Sequence, residues 1–143
     1  MISNSSKYAI RAVIYLSLFS TEKHRAGIKE ISNNLEIPTP FLGKILQVLA
    51  KHGILHSTKG PHGGFTLKKP PYDISLMKIV EIMEGSDVFD VCVVRTTACT
   101  SDTPCSLHDL ISHHRQAIKN IFITRTIADL ASEFRHHKDR IRI

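Results

Sequence analysis

The sequence predicts a mainly α protein: a winged helix-turn-helix with a small β-hairpin wing and a long C-terminal helix. Three observations predict it. Apolar residues in the first third recur at helical spacing in three blocks, and the last two blocks are separated by a short proline-containing break. A glycine-rich turn between two short strand-like runs follows directly. The last part of the chain then carries an apolar alternation of four and three residues.

Tyr8, Ala12, Tyr15, Leu16 and Phe19 lie on one helical face, so the first helix covers residues 7–20. Residues 21–27 make a polar turn. Ile28, Ile31 and Leu35 mark a short second helix. Ile37-Pro-Thr-Pro40 breaks the chain. Thr39 is a good N-cap and Pro40 suits the first helical position, so a third helix starts there. Its inward residues are Leu42, Ile45, Leu46 and Leu49, and it ends near Gly53. Residues 54–58 and 65–68 read as two strands around Lys59-Gly-Pro-His-Gly-Gly64. A hairpin placed directly after a helix-turn-helix is a wing.

Pro70 and Pro71 end the hairpin. Ser75 caps a fourth helix that turns Leu76, Ile79, Val80 and Met83 inward and stops at Gly85. Residues 86–104 lack periodicity and form a loop. Leu107, Ile111, His114, Ile118 and Ile121 define a heptad-like seam on a long helix reaching about Ile123. Ile127, Leu130, Ala131 and Phe134 mark a final helix over residues 126–137.

Composition narrows the function classes. The 143 residues suit one domain with an appended helical segment, and 42% hydrophobic residues provide a core. The formal charge of +6 favours a polyanionic partner, nucleic acid before membrane. No apolar run approaches the roughly 20 residues of a membrane span. No secretory cleavage site follows the short apolar stretch at residues 12–19. These features point to a cytoplasmic chain. Phosphate-loop, dinucleotide and hydrolase motifs are absent from the sequence. Cys105 with His108 offers only the bare elements of nucleophilic catalysis. The chain therefore reads as a non-enzyme.

A recognition helix enters the major groove of double-stranded DNA by its N-terminal turns. The outward residues there are Thr39, Gly43, Lys44 and Gln47. Thr39 and Lys44 can bond phosphate or base edges, while Gly43 gives close approach without readout. Lys59 and Gly60 at the wing tip suit a backbone or minor-groove contact. Lys7, Arg11 and Lys29 suit flanking phosphates. For any single lysine the bland alternative is a solvated surface. Winged helices also bind proteins, so the fold alone does not settle the partner.

Cys92, Cys99 and Cys105 are the only cysteines, and an odd number cannot pair off within one chain. Six and five residues separate them, and two more precede His108. Thiolates at such spacing can wrap an iron–sulfur cluster, whereas structural zinc sites favour closer Cys pairs. Arg95 favours thiolates by its charge. The bland alternative is three unrelated free thiols.

Taken together, the chain resembles the Rrf-two family of winged-helix transcriptional regulators, which has IscR- and NsrR-like members. The resemblance rests on Lys7-Tyr-Ala-Ile-Arg-Ala-Val-Ile-Tyr-Leu16, Ile28-Lys-Glu-Ile-Ser32, Ile37-Pro-Thr-Pro-Phe-Leu-Gly-Lys-Ile-Leu46, Lys59-Gly-Pro-His-Gly-Gly-Phe65 and the three cysteines. It implies a DNA-binding domain over residues 1–85, a cluster loop over 86–105 and a helical dimerisation region over 106–143. It implies a homodimer on a two-fold operator. It also implies a cluster on Cys92, Cys99 and Cys105, with His108 placed like the histidine that ligates a two-iron, two-sulfur cluster. Some members use an aspartate just before the first-helix tyrosine; Lys7 stands there instead. Gly43 stands where IscR-like members have an acidic residue that affects operator choice, so DNA preference does not carry over. The expected function is an operator-binding regulator controlled by an iron–sulfur cluster. The alternative is a clusterless regulator controlled by a partner protein or by cysteine oxidation.

Overall fold

A computed structural model describes residues 1–94, 102 and 104–136. Arg95 and Cys99 lie outside the described residues. Among those described, six helices and one two-stranded hairpin make up a mainly helical winged helix-turn-helix.

Helix α1 (Asn4–Phe19) begins before the predicted Lys7, because Ser3 caps it by accepting from the Ser6 amide at 3.2 Å. It buries Ala9, Ala12, Val13 and Leu16 at the centre of the core. Helix α2 (Ile28–Leu35) ends at Glu36, which takes the left-handed conformation (φ 54°) to turn the chain. The Ser32 hydroxyl donates to the Ile37 carbonyl at 2.7 Å and steadies that turn. Helix α3 (Thr39–Lys51) buries Leu42, Ile45, Leu46 and Leu49, as its spacing predicts.

One capping expectation fails. Pro38, not Thr39, is the N-cap of α3. Thr39 is already helical, and its hydroxyl lies 3.1 Å from the Ser32 hydroxyl on α2. Pro40 therefore sits one position deeper, where a missing N–H still costs nothing.

Strands β1 (Leu55–Thr58) and β2 (Gly64–Leu67) pair antiparallel, Leu55 opposite Leu67 and Thr58 opposite Gly64. Ala26, just before α2, bridges to Phe65: its N–H donates to the Phe65 carbonyl at 3.1 Å and its carbonyl accepts at 2.8 Å. The wing is thus tied to the helix-turn-helix by backbone.

Helix α4 (Leu76–Glu84) starts at the Ser75 cap and stops at Gly85 (φ 98°), both as predicted. Helix α5 (His108–Thr124) has no fully buried residue. The expected seam is divided. Ile118 packs beside Phe89, Met77 and Val80, whereas Leu107 and Ile121 of the seam, and Leu110 beside it, are exposed. The turn carrying Phe89 fills one side of the helix and leaves the other side open.

Helix α6 (Ile127–His136) returns to the main core, burying Ile127 and Ala131. The Ile127 amide donates to the Ile74 carbonyl at 2.9 Å, and the Leu76 amide donates to the Arg125 carbonyl at 3.0 Å. Thr126 and Asp129 cap its start reciprocally, and the Thr126 amide and then its hydroxyl, both donating to Asp129 Oδ2, hold that carboxyl below its usual range.

Candidate functional site

Two regions of the fold carry the predicted functional residues. The first is the helix-turn-helix and wing. Thr39, Lys44 and Gln47 are exposed on α3, and Lys59 and Gly60 are exposed at the wing tip. Lys7 and Lys29 are exposed on α1 and on the first turn of α2. Gly43 differs from the rest. It is half-buried, and a Cβ there would lie 3.2 Å from Ile28 Cδ1. A methyl group there would require the Ile28 side-chain tip on α2 to shift by a few tenths of an ångström.

Arg11 is not the free phosphate contact the sequence suggested. Its Nη2 donates to the Leu35 carbonyl at 2.7 Å, satisfying the C-terminal end of α2. Its Nε is buried without a hydrogen-bond partner among the described residues. On the same face of α1, Tyr15 donates to Glu30 Oε1 at 3.0 Å. Burial pushes the Tyr15 phenol up to about 12, and the Glu30 hydrogen bond and charge add to the effect. Both contacts lock α2 onto α1, which sets where α3 projects.

The second region is the cysteine segment. Cys92 is buried and Cys105 half-buried, with their sulfurs 4.0 Å apart. Cys105 lies three residues before the start of α5, and its carbonyl accepts from the His108 amide at 2.9 Å. His108 is half-buried on the first helical residue. A cleft of about 460 Å³ opens beside Cys92, lined also by Phe89, Ile111, His114, Arg115 and Ile118.

The pair fits a thiolate-bound metal. Two thiolates on one tetrahedral metal lie roughly 3.8 Å apart when metal–sulfur bonds are about 2.3 Å. Cys92 and Cys105 meet that spacing with little movement. Among the described residues, no group of three or more His, Cys, Asp or Glu side chains gathers at one point. Cys99 lies outside those residues.

The position of this segment is fixed from both sides. The Phe89 ring packs on Phe122 of α5 with centroids 5.1 Å apart. Lys119 of α5 donates to both oxygens of Asp90. At the C-terminal end of α4, just before this segment, Glu84 accepts from the Ser3 amide at 2.8 Å, from the Ser3 hydroxyl at 2.9 Å and from the Ser6 hydroxyl. Burial opposes ionisation of Glu84, but the hydrogen bonds from Ser6 and Ser3 outweigh it and lower its pKa.

The order of elements and the cysteine segment agree with one family. The model of the Rrf2 family, described as an iron-dependent transcriptional regulator, matches residues 2–133. The chain belongs to the Rrf2 family. It is 33% identical to a putative HTH-type transcriptional regulator of Aquifex aeolicus, over 91% of this chain and 90% of that protein. It is 26% identical to the HTH-type transcriptional regulator NsrR of Geobacillus kaustophilus, over 92% of this chain and 90% of that one. Its fold matches CymR, the global cysteine regulator of B. subtilis, with a TM-score of 0.77 at 23% identity, over 93% and 97% of the two chains.

This Rrf2 protein is thus a DNA-binding transcriptional regulator. Among its described residues, no helix is long and apolar enough to cross a membrane. Sequence reasoning missed two features of its functional regions. Phe41, 63% exposed on the first turns of α3, carried no charge to draw notice. Asp90 and Lys119 lie 29 residues apart, and no local pattern pairs them.

Proposed function

We propose that the protein is a homodimeric Rrf2 regulator whose affinity for a two-fold operator is set by an iron–sulfur cluster. The ligands in this reading are Cys92, Cys99, Cys105 and His108, and the cluster is of the two-iron, two-sulfur type. The observation that carries it is the 4.0 Å approach of the Cys92 and Cys105 sulfurs beside the start of α5. When bound, the cluster supplies a group that nitric oxide, oxidant or iron shortage removes or modifies.

The chain's own residues couple that event to DNA. Cys92 and Cys105, held to one centre, tie residues 92–105 to the first turn of α5. Phe89 and Asp90 hold the same segment to Phe122 and Lys119 further along that helix. The exposed Leu110 and Ile121 give α5 an apolar face for a second copy. A shift of α5 then changes the spacing of the two recognition helices, and half-site spacing is geometric. A coupling of about 1–3 kcal/mol changes affinity by roughly 5- to 150-fold. In this reading residues 1–85 bind DNA, 86–105 form the cluster loop and 106–143 the dimerisation region. Lys7, Lys29, Thr39, Gly43, Lys44, Gln47, Lys59 and Gly60 face the DNA.

A second reading is a clusterless regulator controlled by cysteine oxidation or by a partner protein. The same close thiol pair supports it, and so does the fold shared with CymR. Purification without oxygen separates the two readings. Iron, sulfide and visible absorbance should be found together, and operator affinity should change when they are removed. An iron-free anaerobic preparation that binds DNA fully and resists reconstitution rejects the cluster reading.

A further inference from the structure

The two described cysteines differ in a way that metal binding alone does not require. Cys92 is only 7% exposed and lines the same cleft as Phe89. Cys105 is half-exposed at the foot of α5. Their sulfurs lie 4.0 Å apart, against about 2.05 Å in a disulfide. One staggered side-chain rotation moves a sulfur further than that gap. The pair is therefore poised for a bond, and the exposure difference sets an order of events.

We infer that, in the metal-free protein, Cys92 and Cys105 form an intramolecular disulfide in which Cys105 reacts first and Cys92 resolves it. The inference deepens the second reading above and rests on it. The oxidant class is a small peroxide. The Cys105 thiolate attacks one peroxide oxygen, the O–O bond breaks, and a sulfenic acid forms at Cys105 with release of water. The Cys92 thiolate then attacks the Cys105 sulfur, the S–O bond breaks, and the hydroxide leaves as water. Two thiols lose two electrons and one peroxide gains them.

The order follows from access. Cys105 is the less buried of the two thiols. Cys92 needs only its near neighbour. The bond closes residues 92–105 into a loop anchored at the start of α5. It also consumes two of the thiols a metal would need, so oxidised protein refuses iron until a dithiol reduces it.

The test uses full-length, metal-free protein treated with hydrogen peroxide without added metal. Remaining thiols are alkylated, and the digest is mapped by mass spectrometry. The expected product is a Cys92–Cys105 cross-link within one chain, with Cys99 alkylated. A dominant bond that includes Cys99, or bonds only between chains, overturns the inference. Cys99→Ser must still form the bond. Cys92→Ser must instead accumulate a Cys105 sulfenic acid that a cyclic 1,3-diketone traps; label at Cys92 in Cys105→Ser at an equal rate overturns the order. Binding to a duplex selected from a random library by the reduced protein is measured in parallel. Unchanged affinity with the bond fully formed retires oxidation as the control, while the linkage map still decides the disulfide.

Discussion

Lys119 places its ammonium 2.8 and 2.9 Å from the two carboxylate oxygens of Asp90, joining the turn before Cys92 to the middle of α5. The Lys119 side chain is 22% exposed and that of Asp90 51%, so solvent screens the pair. Its value lies in position. Asp90→Asn should lower global stability by under about 1 kcal/mol in urea unfolding. It should nevertheless reduce the iron retained per chain after anaerobic reconstitution, because the turn bearing Cys92 is less firmly held. Equal iron retention in the variant and the parent would mean that Asp90 does not position the loop.

Two ionisable groups on α1 and α4 give opposite pH signatures. The Glu84 pKa lies below its ordinary 4.5 in the folded state. Its stabilisation is present above 4.5 and is lost as pH falls through the folded value. The Tyr15 phenol ionises near 10 when unfolded and near 12 when folded, so its stabilisation is complete below 10 and is lost as pH rises towards 12. The stability gap between parent and Glu84→Gln should shrink in acid. The gap to Tyr15→Phe should shrink between pH 10 and 12. Denaturant unfolding across both windows checks the signs; gaps that stay constant with pH contradict the hydrogen-bond assignments.

Much of this architecture was legible from apolar spacing. Leu42, Ile45, Leu46 and Leu49 mark the buried face of α3, and Ser75 and Gly85 bound α4, because caps and periodicity are local properties. The misreadings arose where tertiary contacts overrode local rules. Thr39 has the chemistry of a cap, but a hydroxyl partner on α2 and the preceding Pro38 moved the helix start by one residue. Arg11 looked like a surface charge, yet the end of α2 lies within its reach. Ile118 and Ile121 share one seam in sequence but divide in space, because Phe89 arrives from a loop without periodicity. The cysteine spacing suggested a soft-ligand site, and the fold brings two of its thiols together. The approach of Cys92 to Cys105 joins residues 13 apart in sequence, which no local pattern encodes.

The wing tolerates side chains unevenly. A Cβ on Gly63 would stand 2.2 Å from the Thr58 carbonyl oxygen, a backbone atom that cannot step aside alone. Gly27, before α2, has nothing within 4 Å of an added Cβ. Gly63→Ala should therefore cost about 1–3 kcal/mol or distort the hairpin, whereas Gly27→Ala should stay within about 0.5 kcal/mol. Thermal unfolding of both variants makes the comparison. An equal effect at the two sites would contradict the packing of the turn.

If Lys44 on α3 and Lys59 at the wing tip touch phosphates, each neutralises a backbone charge and releases condensed counterions. Lys44→Ala and Lys59→Ala should each weaken binding to specific and non-specific duplexes alike. Each should also flatten the slope of log affinity against log salt by about one. A base contact from Lys44 behaves differently. It would relax preference at one operator position at a cost of about 1–3 kcal/mol, with the salt slope less affected. Titrations at several salt concentrations on matched and mismatched duplexes distinguish the two roles. A variant with unchanged affinity and slope removes that lysine from the interface. Phe41, exposed on the same helix, supplies the uncharged comparison: Phe41→Ala should leave the salt slope unaltered whatever it does to affinity.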